Sequence, residues 1–185
     1  MIIRKDIQDA VEALLSGGVI CYPTEGVYGL GCIPYEAEAV YRILNFKQRS
    51  VANGVILIGA TPEHLLPWIA PTPAEIDNLL SETQQPTTWV VRASPIAPDW
   101  ITGGRDTVAV RFCTHPVAQQ LCIKADSALV STSANRSGKP PTASPVAARY
   151  RMQNFADAIV GGATLSNCGP SAIRLGHDGT IIRPA

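Results

Sequence analysis

Residues 54–59 (GVILIG) form an unbroken apolar run closed by glycine at both ends. A run this short cannot make a helix, and without polar alternation it reads as a strand buried on both faces. The chain contains a series of such pieces. Residues 19–22 (VICY) stop at Pro23, and further strand-like runs are expected at 27–32, 89–91, 107–112, 128–130 and 158–160. Two more, at 171–175 and 180–183, are split by the turn His177-Asp178-Gly179. Helical spacing lies between them. Ile7, Ala10, Val11, Leu14 and Leu15 share one face of a helix over 6–16 that ends at Gly17-Gly18, and Ala39, Val40, Ile43 and Leu44 face inward over 36–46. Helices over 62–68, 73–80 and 116–124 begin with proline in the first turn, and Ser144-Pro145 caps another that runs to about residue 155. The segments 81–88 and 95–105 read as loop and irregular chain. Short strands mixed irregularly with helices favour an α/β fold with a mixed sheet rather than a regular Rossmann alternation. With 185 residues and no repeat, low-complexity tract or linker, one domain over 1–185 is expected.

Composition removes several function classes. Formal charge is zero and the pI about 6.8, so no global field recruits nucleic acid or membrane. No apolar run of membrane-spanning length occurs, and the N-terminus lacks a signal-peptide layout, which predicts a cytoplasmic protein with no membrane partner. The five cysteines, Cys21, Cys32, Cys113, Cys122 and Cys168, contain no Cys-x-x-Cys pair and read as reduced and buried. His64, His115 and His177 stand apart, so no protein metal site is expected. Walker A, Rossmann G-x-G-x-x-G and G-x-S-x-G signatures are all absent.

What remains are polar clusters at the ends of apolar elements. The strand-like run 128–130 breaks into Ser131-Thr132-Ser133-Ala134-Asn135, followed by Arg136 to Pro141 with two cations, a glycine and two prolines. Hydroxyls, an amide and backbone N–H groups in one small volume suit an anion or a nucleotide phosphate, although such turns also satisfy their own backbone. Thr24 opens the polar turn after Pro23, and Gly26, Gly29 and Gly31 would let a ligand approach the backbone closely. Lys47 and Arg49 close a helix, where cations also complement the dipole, and Arg111 sits near the end of a strand, where an ordinary surface arginine is the plainer reading.

Taken together these clusters resemble the YrdC-like family. The likeness is carried by Pro23-Thr24-Glu25-x-Val27-Tyr28-Gly29-Leu30-Gly31, Lys47-x-Arg49, Val108-Ala109-Val110-Arg111 with His115-Pro116, and Ser131-Thr132-Ser133-Ala134-Asn135. Pro170-Ser171-Ala172-Ile173 and the terminal Ile182-Arg183-Pro184 complete it. The chain is similar to the short bacterial TsaC type, L-threonylcarbamoyladenylate synthases. That resemblance implies a YrdC-like fold, a twisted mixed sheet with flanking helices around a concave, positively charged cavity. It implies a nucleotidyltransferase that makes threonylcarbamoyl-AMP and pyrophosphate from L-threonine, bicarbonate or CO2, and ATP. The product would feed N6-threonylcarbamoyladenosine (t6A) formation at position 37 of tRNAs reading ANN codons.

Carried over residue by residue, Thr24, Arg111 and Ser171 would bind L-threonine. Lys47, Arg49, Asn53, Thr107, Ser131, Ser133, Asn135 and Arg183 would surround ATP, with Lys47 and Arg49 the catalytic cations. Mg2+ would arrive with ATP and has no assigned protein ligand. tRNA and the downstream t6A transferase proteins are the further partners suggested. The logic is electrostatic: the carboxylate, the carbamate and the triphosphate are all anionic, and cations must hold them together before attack on the α-phosphate. Glu25 is the nearest carboxylate that could act as a base. The chain departs from the family pattern at Gly26, where many relatives have Thr, in 83–88, which keeps only Pro86 and Thr88 of a family loop, and at Asn53-Gly54-Val55. The alternative function is a non-catalytic tRNA- or double-stranded-RNA-binding or ribosome-maturation factor. A carbamoyl-adenylate domain of hydrogenase maturation proteins is a third reading, weakened by the missing zinc-finger-like cysteines.

Overall fold

Each apolar run finds two sheet neighbours or an edge in a computed structural model that describes residues 4–81, 83, 85–165 and 171–184 (4 and 5 by backbone alone). The strands are β1 (Ile20–Pro23), β2 (Tyr28–Cys32), β3 (Ile56–Gly59), β4 (Thr87–Arg92), β5 (Thr107–Phe112), β6 (Leu129–Ser133), β7 (Ala158–Ile159), β8 (Ala172–Leu175) and β9 (Ile181–Arg183). They form one mixed sheet in the order β7-β1-β2-β6-β3-β5-β4-β8-β9. The pairs β1/β7, β3/β5 and β4/β8 are parallel and the others antiparallel. The helices are α1 (Arg4–Leu15), α2 (Ala37–Lys47), α3 (Pro62–Leu65), α4 (Pro73–Leu80), α5 (Asp99–Thr102), α6 (Pro116–Ala125) and α7 (Pro145–Met152).

Strand alternation divides the core in two. Val19, Cys21, Leu57, Val108, Val110 and Val130 turn to the face covered by α2, α5 and α7, where Ala39, Val40, Ile43, Leu44, Ile101, Ala148 and Met152 pack. Ile20, Tyr22, Ile58 and Leu129 turn to the other face, against α1 and α6 through Ile7, Val11, Leu14, Val117 and Leu121. On that second face α1 and α6 sit over the β7-β1 side of the sheet and reach as far as β3. Thr107, Ala109 and Arg111 of β5, Ile56 of β3 and Ser131 and Ser133 of β6 share its parity, and they line open cavities instead of a helix. That uncovered floor positions the site.

The structure departs from the sequence reading in places that matter. Ser131 to Ser133 is not a turn: β6 runs through all three hydroxyl residues, pairing Ser131 with Gly31 and Ser133 with Gly29 on one side and Ser131 with Ile56 on the other. A neighbouring strand on each side outweighs the local turn preference of serine and threonine. The segment 95–105 contains α5, and the helix expected over 62–68 is α3 followed by a 3-10 turn. Strand β4 begins at Thr87, within the expected loop. Gly31 serves packing rather than a ligand: a Cβ there would lie 2.6 Å from the Val130 carbonyl oxygen and 2.9 Å from the Tyr22 ring. The thiols of Cys21, Cys32, Cys113 and Cys122 are free and buried, and Cys168, Pro170 and Gln84 lie outside the described residues. Among the described residues no helix is long and apolar enough to cross a membrane.

Candidate functional site

Two cavities adjoin on the uncovered floor. The first, about 260 Å3, is lined by Thr24, Gly26 and Gly29 from the β1–β2 hairpin, Lys47 and Arg49, Arg111, Ser131, Ser133 and Asn135, with Ser171 and Arg183 closing one side. The second, about 380 Å3, takes in Asn53, Arg105 and Thr107 over a largely apolar floor that includes Val55, Val90, Ile101, Ala109 and Ile173. Arg49, Ile56 and Arg183 line both, so the two spaces meet at a pair of guanidinium groups. Every residue assigned from sequence to threonine or ATP therefore lies on one of the two walls. The sequence reading missed Arg105, Ile56 and Pro86 as lining residues, and the only signal for Arg105 was its place after Gly103-Gly104.

The Lys-x-Arg spacing works through a reversal of the chain. Lys47 is the last residue of α2, and Gln48 takes the left-handed conformation (φ 54°) with its N–H returned to the helix carbonyls. The chain thus turns at once after the helix, and both cations line the first cavity. Lys47 Nζ donates to the carbonyls of Ser133 (2.6 Å) and Asn135 (2.8 Å), with 3.5 Å contacts to Ser133 Oγ and Asn135 Oδ1. This lysine both staples helix to strand and carries charge into the cavity. Arg49 Nη2 donates to the Gly54 carbonyl (2.9 Å), Arg183 Nη2 to the Ser171 carbonyl (2.6 Å) and Arg105 Nη1 to the Thr102 carbonyl (3.4 Å). None of these four cations forms an ion pair among the described residues. Burial, then the charges of Arg183 and Arg105, push the Arg49 guanidinium below its ordinary range.

Arg111 is held differently. Its Nη1 donates to Glu25 Oε2 at 2.8 Å in a buried ion pair, and Glu25 Oε1 accepts from the backbone N–H of Thr114 (2.7 Å) and His115 (3.1 Å) just before α6. Burial raises the Glu25 carboxyl, but the Arg111 charge and the Thr114 N–H bond are among the effects that outweigh it, so its pKa falls below the usual carboxylate value. The suggestion that Glu25 acts as the base is therefore corrected. A carboxylate held ionised by an arginine and two amides is a poor proton acceptor at neutral pH. Its contacts tie Arg111 to the chain just before α6.

The hydroxyls are directed. Tyr22, wholly buried, donates its O–H to Ser131 Oγ at 2.9 Å, which leaves the Ser131 proton to point elsewhere, and Ser131 lines the first cavity. Thr24 Oγ1 donates to the Val27 carbonyl (2.6 Å), so toward the cavity it can only accept. Ser171 Oγ shares a 2.8 Å hydrogen bond with the buried Thr88 Oγ1. Asn135 lines the cavity, but its side-chain N–H groups donate to the carbonyls of Arg136 (3.0 Å) and Lys139 (2.6 Å), holding the following loop.

Burial and the Arg49 charge lower the Lys47 pKa to about 8. A lysine with a lowered value is charged below it and neutral above it, and a bound anion raises the value again. The affinity for a triphosphate should then be flat from pH 7 to about 8 and fall above that, by up to about tenfold per pH unit for one linked proton. Cys21 and Cys32, pushed up to about 12 by burial, stay out of this window. Titration calorimetry with ATP at several pH values reads the effect, and pH-independent affinity up to pH 9.5 would contradict it.

A family model named Sua5/YciO/YrdC and described as "Telomere recombination" matches residues 12–185. The chain is 42% identical over 186 residues to the threonylcarbamoyl-AMP synthase of Vibrio cholerae, covering 99% of both chains. It is 44% identical over 178 residues to the protein of the same name in Halorhodospira halophila, covering 96% of this chain and 93% of that one. Among solved structures, P. abyssi Sua5 complexed with L-threonine matches with a TM-score of 0.84 and 32% identity. The match covers 91% of this chain and 50% of that one, so this chain spans about half the length of that protein. E. coli YciO, at 24% identity, has the same fold, with a TM-score of 0.84 over 98% of this chain and 90% of that one.

Proposed function

This chain belongs to the Sua5/YciO/YrdC family, and from that premise we propose that it is a threonylcarbamoyl-AMP synthase. It joins L-threonine, bicarbonate or CO2, and ATP to give L-threonylcarbamoyladenylate and pyrophosphate, the activated carbamoyl group used for t6A in tRNA. One observation carries this reading: Lys47, Arg49, Arg105 and Arg183, each anchored on backbone carbonyls rather than carboxylates, surround two joined cavities. A surface that only binds RNA would spread its cations outward along a face. Here they gather inside a cleft of small-molecule size.

In this reading the adenosine lies on the apolar floor of the second cavity, near Asn53 and Thr107. The phosphates cross the junction at Arg49 and Arg183 toward Lys47, Ser131 and Ser133. Threonine sits in the first cavity, its carboxylate on Arg111 and its amino group toward the acceptor oxygen of Thr24, with Ser171 alongside. The threonine nitrogen forms a C–N bond with the carbon of CO2, one C=O bond opening onto oxygen and the nitrogen's proton passing to solvent. With bicarbonate a C–O bond breaks instead, and the hydroxyl leaves as water with that proton. A carbamate oxygen then attacks the α-phosphorus, and the bond to the β-phosphate oxygen breaks to release pyrophosphate. Such a displacement needs alignment and charge stabilisation more than a nucleophilic side chain. Among the described residues no three His, Cys, Asp or Glu side chains lie together, and Glu25 is engaged by Arg111, so the residues do not fit a metal held by the protein. Mg2+ belongs to the nucleotide in this account. A cytoplasmic location, and hand-over of the adenylate to tRNA-modifying proteins, fit the same reading.

Purified protein with ATP, threonine and bicarbonate, followed for pyrophosphate, tests the proposal. Release that depends on both threonine and bicarbonate is expected, and release indifferent to threonine would remove it.

A further inference from the structure

Arg105 meets the same physical criterion as the three cations already placed around ATP. It lines the second cavity with Arg49 and Arg183, holds one backbone carbonyl through Nη1 and has no ion-pair partner among the described residues. Its position is built. Gly103 and Gly104 both take left-handed backbone conformations (φ 70° and 75°), and the Gly104 N–H donates to Thr102 Oγ1 at 3.2 Å. A Cβ on Gly103 would lie 2.7 Å from the Ala52 carbonyl oxygen and 2.8 Å from the Gly54 nitrogen, so this turn presses against the segment that carries Asn53. On the other side, Val55 N–H donates to the Ile101 carbonyl (3.0 Å), and Arg49 rests on the Gly54 carbonyl. The two guanidinium groups are thus mounted on one continuous platform, although they repel each other. The Arg105 charge helps to lower the Arg49 pKa, after burial and Arg183, and neither arginine has an ion-pair partner among the described residues, so an anion bound between them would be favoured by both.

We propose that Arg105 is a further nucleotide-binding residue, contacting the phosphate groups of ATP from the rim of the second cavity. The proposal rests on the ATP-dependent reading above. It extends the cation set from Lys47, Arg49 and Arg183 to four, with Arg105 supplied by the turn after α5 and exposed, as Arg183 is. Because this loop also packs on Asn53, a positional role for its backbone must be separated from a role for its charge.

Calorimetry with ATP and with adenosine on wild type, Arg105→Ala and Arg105→Lys makes that separation. Arg105→Ala should weaken ATP binding by about tenfold or more, the effect of one lost charge-assisted hydrogen bond, and leave adenosine affinity within about twofold. Arg105→Lys should recover part of the loss. Equal weakening of ATP and adenosine, or unchanged ATP affinity, would overturn the proposal and leave the synthase reading intact. A wild-type protein that binds no ATP would instead overturn the synthase reading, and the proposal with it.

Discussion

Arg49→Ala should lower threonine-dependent pyrophosphate release by about a hundredfold or more, the cost of removing a preorganised charge contact from a displacement that depends on charge stabilisation. Arg49 is the residue for which the geometry demands most. It lies at the junction of the two cavities, its guanidinium is fixed by the Gly54 carbonyl at 2.9 Å, and it faces Arg183 across the same space. Its loss should not unfold the protein. No carboxylate is left unpaired by the change, and relief of repulsion from Arg183 and Arg105 offsets the single hydrogen bond to Gly54. The melting temperature should therefore stay within a few degrees of wild type while turnover collapses. Arg49→Lys should recover only part of the rate, because the compact ammonium lacks the planar fork that can pair two phosphate oxygens while another N–H holds the Gly54 carbonyl. Near-normal kinetics in Arg49→Ala would mark this arginine as an ordinary helix-end cation.

Arg111 predicts a different pattern. Replacing it by Ala should raise the threonine requirement far more than the ATP requirement if Arg111 pairs with the amino-acid carboxylate as proposed. This substitution also carries a stability cost that Arg49→Ala does not. Glu25 would remain buried without its cation, and breaking a buried pair from one side costs about 3–5 kcal/mol. The sign of the pH dependence follows from Glu25. Its folded-state pKa is lowered, so the pair stabilises the protein above the ordinary carboxylate value and loses that contribution as pH falls through the folded value. Without Arg111 the carboxyl is easier to protonate, and the gap in stability between variant and wild type should narrow toward acid pH. Arg111→Lys keeps a charge for Glu25 but not the planar fork. It should retain most of the stability and still raise the threonine requirement. Equal effects on threonine and ATP would place Arg111 in the wrong subsite.

Comparison of these two arginines shows what a single chain reveals. Local patterns were legible: α4 and β5 coincide with the proline-capped and alternating segments that announce them, and each polar cluster lies at the end of an apolar element, where it lines a cavity. Non-local facts were not. Nothing around Glu25 signals that its carboxylate crosses to Arg111 and to the amides before α6, some ninety residues away. Ser131 to Ser133 looks like a turn until β2 and β3 take up its backbone on both sides. The glycines of β2 look alike in sequence, yet Gly29 lines the cavity while Gly31 makes room for the Tyr22 ring that directs Ser131. Arg105 carries no motif at all. It is recognised only when its anchor is seen to be a carbonyl, as for Arg49 and Arg183.

In the proposed reaction the cleft joins threonine to the α-phosphorus of ATP through a carbon from bicarbonate. Mass spectrometry of the nucleotides formed from ATP, L-threonine and isotopically labelled bicarbonate tests it most directly. A threonylcarbamoyl-AMP species that carries the label, appears in step with pyrophosphate and is lost in Arg49→Ala is the expected result. ADP with orthophosphate, AMP without a labelled adduct, or an adduct formed equally well without threonine would contradict it.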